Sequence, residues 1–472
     1  MKRKVLKNVL VCGCVLALLT GCGGRGEQPP QDMVENFPQS QGNTSSAESA
    51  ADLASYEDTF TSRDLEQTAN LSAAVYVNLA DDGTTVDGRG ANVEGNIVTI
   101  TDEGVYVISG TLSDGQLVVE AAKEDKVQLV LEGANITNDT SAALYVKQAD
   151  KVFITTGAGT DNSFRTTGIF SAIDDNNIDG AVFAKDDIVF NGEGTLKVVC
   201  VLDHGIVGKD DVKVTGGTIT VDAKGDGIQA NDGVYIAGGT VSVLNSNEGI
   251  EGEEIAIWGG NITVIAKDDG LNAAGGNDES GFTSFGGNNP FDADLSCSIA
   301  IYGGILNVDA VGDGLDSNGN LYIYGGEIYV DGPTSGGDGA IDYGGSGVIT
   351  GGILVAAGSS QMAENMGQDS TQCTMLVTFG NQMTEGEIKV TDDAGNVILT
   401  YTPDKKYSSA VISHPDLEVG KTYTVSAGET STEVTFDSVV YGSGMMGGGH
   451  GGFGGGGKDG GGQGGRGQRP GW

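Results

Sequence analysis

Asp226-Gly227-Ile228-Gln229, then Gly238-Gly239, then Thr240-Val241-Ser242-Val243: this run sets a grammar that the chain goes on to repeat. It returns as Glu248-Gly249, Gly259-Gly260 and Asn261-Ile262-Thr263-Val264, and again from Asp269, Asp313 and Asp338. Double-glycine steps begin at Gly216, Gly238, Gly259, Gly303, Gly325 and Gly351, at intervals of 22, 21, 44, 22 and 26 residues. The long interval holds either two periods or one period with an excursion from Gly275 to Ser296. A strand–turn–strand unit of about 22 residues cannot bury its own apolar face, so such units must stack. Within a unit the alternation has period two, with Ile255 and Ile257 on one side and Ala256 and Trp258 on the other. Inward positions are almost all Ile, Val and Leu, corners are rich in glycine, and helical periodicity is absent. The pattern predicts an all-β parallel β-helix, a solenoid.

Working outward, the solenoid domain is expected over residues 71–374, with less regular coils opening near Gly95. From Met375 the grammar changes. Ile388-Lys389-Val390, Val397–Tyr401 and Thr422-Tyr423-Thr424-Val425 alternate without the Asp-Gly corner, and polar turns separate them. Residues 375–440 therefore read as a small antiparallel β cap over the end of the solenoid. Residues 441–472 are a Gly-rich tail that cannot bury a core and is expected to be disordered. At the other end, basic residues Lys2, Arg3, Lys4 and Lys7 precede an apolar run from Val9 to Leu19. Leu19-Thr20-Gly21-Cys22 closes that run and resembles the bacterial lipobox. Residues 1–21 are thus expected to be a lipoprotein signal peptide, with Cys22 as the lipidated residue. Residues 22–70, rich in Gln, Ser, Pro, Asn and acids, read as a flexible tether. The implied location is the extracellular face of the cell membrane, reached through a lipid anchor only.

Composition removes several function classes. The 472 residues carry 65 acidic and 25 basic side chains, a formal net charge of −40. Such a surface repels phosphate, so no nucleic-acid partner is expected. It has capacity for hard cations instead. Cys200, Cys297 and Cys373 show no spacing suited to a disulfide scaffold or a zinc site. His204, His414 and His450 form no recognisable triad, and no GxSxG elbow is present. A lyase would need a Lys or Arg base, for which Lys209, Lys213, Lys224 and Lys267 are the candidates near the acidic corner.

That corner is the most informative constellation. Asp179, His204, Asp226, Glu248, Asp269, Asp313 and Asp338 each precede a corner glycine, so stacking should place them in a column. Two positions past the glycine, Glu251, Asn272 and Asp316 add a second polar column, with Gln229 beside it. Carboxylates about 5 Å apart repel unless a cation bridges them, and Ca²⁺ takes six to eight oxygen ligands. The alternative is that Asp-Gly simply makes a good turn, its carboxylate bonded to local N–H groups. Asp175-Asn176-Asn177-Ile178-Asp179-Gly180 matches the start of an EF-hand loop, but Asp186 stands at the twelfth position where glutamate is needed. The stretch then reads either as a fortuitous irregular corner or as a calcium-binding corner with Asp175, Asn177 and Asp179 as ligands. A second constellation is aromatic. Trp258, Tyr302 and Tyr324 each precede a double glycine and face outward by parity, with Tyr322 and Tyr329 on the same exterior. This row suits either stacking on pyranose faces or a ladder that stabilises the sheet surface. The loop carrying Phe282, Phe285, Asn288, Asn289 and Phe291 could overhang it.

Four stretches resemble one family: Phe60-Thr61-Ser62-Arg63-Asp64-Leu65, Gly104–Gly110, Gly312-Asp313-Gly314-Leu315-Asp316-Ser317-Asn318-Gly319, and Gly332–Tyr343. They are similar to signatures of bacterial surface β-helix proteins described as carbohydrate-binding domain-containing, related in fold to pectate lyases. The resemblance covers residues 58–440 and is weakest over Thr160–Asn177 and after Gly275. It implies a right-handed helix, bound calcium, and binding of cellulosic or acidic plant polysaccharide without a demonstrated need for cleavage. Asp313, Asp316, Asp338 and Asp342 lie in the two long motifs and lead the candidate ligands, with Asp226, Glu248 and Asp269 next. The resulting expectation is a monomeric, non-catalytic, calcium-dependent polysaccharide-binding lipoprotein. A calcium-dependent pectate-type lyase and a structural adhesin or spacer stay open as alternatives.

Overall fold

The computed structural model describes residues 53–274, 293–380 and 383–442. The expected signal peptide, Cys22, the tether up to residue 52, the loop phenylalanines at 282, 285 and 291 with Asn288 and Asn289, and the tail from 443 lie outside the described residues. No described helix is long and apolar enough to cross a membrane.

Each regular coil visits three sides. One coil runs through strands Ile228–Ala230, Gly233–Ile236 and Thr240–Asn245, and the next through Ile250–Gly252, Glu254–Ile257 and Asn261–Ala266. Strands of successive coils pair in parallel and in register, as in Val234↔Ile255 and Val241↔Ile262. The first side makes an 11-stranded sheet. The second and third sides merge into a 23-stranded sheet because the long strand Lys126–Asn138 pairs with both Lys151–Thr156 and Asp161–Thr166. The parallel β-helix is therefore present as the periodicity required. Between Gly259 and Gly303 there is one coil with an excursion, since Ile255 pairs directly with Ile299.

Inward side chains stack in columns. Ile228, Ile250, Leu271, Leu315 and Ile341 form one of them, all essentially without solvent exposure. Burying each such side chain contributes about 1.5–3 kcal/mol, which offsets the backbone ordering of a chain with so many glycines. The double-glycine corner has two separate causes. A Cβ on Gly303 would lie 2.6 Å from the Trp258 carbonyl of the preceding coil, so closeness selects the first glycine. The second, such as Gly304, has φ of +87°, where side chains are strained.

The ends are closed with antiparallel pairing. Thr85–Asp87 pairs with Val75–Leu79 at the start. Near the other end, Ser409–Ser413 runs antiparallel to Ile353–Gly358, the last strand of the coil stack, and to Thr374–Thr378. A separate four-stranded antiparallel sheet, in the order Val397–Tyr401, Ile388–Asp392, Thr422–Ala427, Thr430–Thr435, lies within residues 375–440.

Two expectations need correction. Residues 53–70 are not free tether. They lie across the outer surface of the second side, where Phe60 and Asp64 are buried and Gln67 donates to the Thr215 carbonyl at 3.2 Å. Apolar, charged and polar residues do this by meeting partners far off in sequence, without any local periodicity. The irregular stretch is also shorter than Thr160–Asn177. Asp161–Thr166 is a regular strand in register with Thr195–Cys200, and only the residues after Thr166 leave the coil.

Candidate functional site

The first side carries the acidic groups. Register pairs place Gln229, Glu251, Asn272, Asp316 and Asp342 side by side on its outer surface. Asp226, Glu248, Asp269, Asp313 and Asp338 line the corner that leads into it. The corner glycines are set by packing, since a Cβ on Gly249 would meet the Gly270 carbonyl at 2.2 Å.

One oxygen of a corner carboxylate binds backbone, but of the next coil rather than its own turn. Asp226 Oδ1 accepts from the Glu248 amide at 3.1 Å, Asp269 Oδ1 from the Asp313 amide at 2.6 Å, and Asp313 Oδ1 from the Gly339 amide. These bonds fix the carboxylates along the column and leave the second oxygen of each to other partners. Carboxylate oxygens of Asp269, Asp313 and Asp316 come within 4.8 Å of one another. Beside them Glu248 is 5 % exposed, Glu251 3 % and Asn272 2 %. Asn272 donates its amide to Glu248 Oε2 at 2.7 Å, which leaves its buried Oδ1 without a hydrogen-bond partner. An orphan acceptor among buried carboxylates is costly unless a cation meets it.

The protonation balance states the same cost. Burial first, then the charges of Glu251, Asp226 and Asp269, push the Glu248 carboxyl up to about 9 against the pull of the Asn272 amide. Burial likewise raises Asp313 to about 9, with Asp316, Asp269 and Asp342 adding to it and the Gly339 amide opposing. Among the described ion pairs none involves either residue. Glu364, which sequence reading passed over, joins the far end of the strip. Burial and the neighbouring Asp342 raise it to about 7.

Other candidates sit elsewhere. Asp175 and Asn177 are exposed, Asn177 donates to Asp179 Oδ2 at 2.9 Å, and Asp174 holds the segment by accepting from Tyr145 at 2.7 Å. The EF-like spacing thus does not bring Asp175 and Asn177 into the carboxylate cluster, although Asp179 Oδ1 is buried and unpartnered. His204 Nδ1 lies 2.8 Å from Asp226 Oδ2. Burial lowers its imidazole, and Asp226, Asp203 and Asp179 together outweigh that and raise it. A second acidic group, Asp187, Asp210 and Asp211, was not singled out from sequence. Two of its members have lysine partners, Lys151 Nζ lying 3.1 Å from Asp187 and Lys213 Nζ 3.0 Å from Asp211, while burial and the charges of Asp187, Asp211 and Asp232 raise Asp210 to about 6. Lys213 is thereby committed to the second side and is no base for the acidic strip.

The aromatic row lies at the corner between the second and third sides, across the core from the acidic strip. Trp258 and Tyr302 stack at 5.1 Å and 2°, and Tyr302 and Tyr324 at 4.9 Å and 15°. Coil spacing of about 4.8 Å matches ring stacking, so the rings turn their faces to one another. Tyr322 stacks on Tyr324 at 6.0 Å. Tyr56 and Phe60 meet Trp258 edge-on at 5.8 and 5.4 Å. Tyr329 leaves the row and stacks on Tyr401 of the cap at 5.2 Å. The geometry is that of a ladder. Trp258, Tyr302 and Tyr322 are half-buried, and Tyr324, 37 % exposed, is the most open of the four.

Residues 94–287 match the carbohydrate-binding domain-containing protein family. A carbohydrate-binding domain-containing protein of Acetivibrio thermocellus is 32 % identical over 223 residues, 46 % of this chain and 66 % of the relative, just under two thirds of its length. A solved structure, the gadolinium derivative of a polysaccharide lyase-like protein from C. thermocellum, is 29 % identical with a TM-score of 0.43. That likeness covers 59 % of this chain and 99 % of the other.

Proposed function

We propose, from the match of residues 94–287 to the carbohydrate-binding domain-containing protein family, that the acidic side of the β-helix is a calcium-dependent polysaccharide-binding surface. The observation that carries this reading is the buried, unpartnered Asn272 Oδ1 set among Glu248, Glu251, Asp269, Asp313 and Asp316. The donors are all oxygens of carboxylate and amide type, the set that suits Ca²⁺ and not zinc or copper. Those residues would hold the cation. It would neutralise the strip and attract the carboxylates of an acidic glycan, which a surface of net charge −40 would otherwise repel. Asp226, Asp338 and Asp342 extend the strip along the solenoid axis for a linear polymer. The aromatic ladder serves chiefly to stiffen the opposite corner, with the Tyr324 edge available to a neutral sugar. The protein acts as a monomeric binding module, displayed on the extracellular side of the membrane through lipid on Cys22.

The test is retention of the full chain on insoluble pectate and on cellulose, with calcium or with chelator, while the supernatant is assayed for unsaturated uronides. Calcium-dependent retention on pectate without product supports the reading. Product would assign a lyase instead, and no retention on either material would leave a surface spacer.

A further inference from the structure

The motif Phe60-Thr61-Ser62-Arg63-Asp64-Leu65 takes no part in the acidic side, yet each of its distinctive residues has a specific contact on the second side. The chain arrives at residue 54, whose amide donates to Glu254 Oε1 at 2.9 Å and whose carbonyl accepts from the Tyr302 hydroxyl at 3.4 Å. Tyr56 and Phe60 then meet Trp258. The Thr59 carbonyl accepts from Lys213 Nζ at 3.0 Å. Arg63 lies 4.3 Å over the Phe153 ring, and Asp64, fully buried, receives Lys151 Nζ at 3.4 Å and the Thr61 amide at 2.7 Å. Gln67 accepts from the Gly192 amide at 2.9 Å. Between residues 54 and 64 the contacts pass from the coil of Ser298–Ile301 to that of Lys151–Thr156, five coil steps or about 24 Å.

These contacts lie in series along the segment up to Asp64, whose carbonyl also accepts from Thr215 Oγ1 at 2.5 Å and Asn191 Nδ2 at 3.4 Å and so spans three coils. A pull entering at residue 53 loads the Ala54 pair first, then the aromatic cluster, then Lys213, then Asp64. Series contacts fail one after another. The solenoid below is different, since every coil shares its registers and core with both neighbours. The peel would stop at Val75–Leu79, which pairs residue for residue with Tyr106–Gly110.

From this geometry we infer that residues 53–68 form a force-yielding strap. Tension on the N-terminal segment unzips it coil by coil and lengthens the connection while the β-helix and its acidic side stay folded. The inference rests on the proposed N-terminal tethering, which supplies the direction of load. Unzipping to residue 75 frees 22 residues, about 75 Å extended, of which about 38 Å is already spanned in the folded form.

Optical-tweezers extension of the full chain, held by its two termini, tests it. A contour-length step of about 40 Å is expected before the solenoid ruptures, and Phe60→Ala with Asp64→Ala should lower the force of that step alone. Hydrogen exchange without load should show the amides of Thr59, Phe60 and Asp64 opening while Val241 and Val243 stay protected. Absence of the step, a step indifferent to the two substitutions, or exchange of strap and solenoid as one unit would overturn the strap. Membrane retention of a Cys22→Ala chain would overturn the tethering and its load path instead, leaving the step in place.

Discussion

One row of outward positions on the first side reads Val118, Tyr145, Phe183, Val207, Gln229, Glu251, Asn272, Asp316, Asp342, each in register with the next. Its first four residues are buried, packed with Ile178 and Phe170 from the excursion beyond Asp161–Thr166. Its remaining five are polar or acidic. The backbone is the same in both halves, so the side chains alone decide what the surface needs. The apolar half is satisfied by the chain's own residues. The acidic half buries carboxylates that repel, and holds an acceptor with no donor. The difference teaches that a solenoid can use one row both to anchor its own excursion and, in the function proposed above, to hold a cation.

That contrast can be broken from either side. The largest effect is expected in the apolar half, where Phe183→Ala should cost about 3–5 kcal/mol in denaturant unfolding by leaving a cavity under Ile178 and Phe170. Calcium affinity should be unchanged. In the acidic half the reverse should hold. Asp313→Asn should weaken calcium binding about 10–100-fold, judged by the loss of one charged donor, and should leave metal-free stability intact or raised.

The pH dependence separates the halves further. Glu248 and Asp313 titrate near 9 when folded, far above the 4.5 and 3.8 of free carboxyls. Between roughly pH 4 and 9 the folded protein therefore keeps protons that the unfolded chain has lost. Metal-free protein should lose stability as pH rises through that window, visible as a falling Tm. Saturating calcium, which replaces those protons, should flatten the curve. The smallest effect is reserved for the opposite corner. Tyr302→Leu removes two stacked pairs, and at about 0.5–1.5 kcal/mol per pair should lower stability with little change in pectate retention. A large loss of retention would restore the row as a sugar platform.

The coil and the acidic column were legible in the sequence because both are periodic. Double glycines mark a steric demand that recurs every coil, and Asp-Gly recurs with it. What periodicity does not carry was missed. The strap was hidden because Phe60, Arg63 and Asp64 find their partners at Trp258, Phe153 and Lys151, far off in sequence. The aromatic row was found, but not that coil spacing would turn its faces inward on one another. Tyr329 was placed with that row because only the cap, through Tyr401, draws it away. In the sequence Asn272 is simply one member of the second polar column, and only its hydrogen bond to Glu248 shows which of its atoms is left buried without a partner.

Calorimetric titration of the metal-stripped full chain with calcium, at pH 6, 7 and 8 and in two buffers of different ionisation enthalpy, addresses the central claim most directly. The account predicts binding that tightens as pH rises and releases protons to the buffer, with both features reduced by Asp313→Asn. Absence of binding, or binding indifferent to pH and to Asp313→Asn, would contradict it.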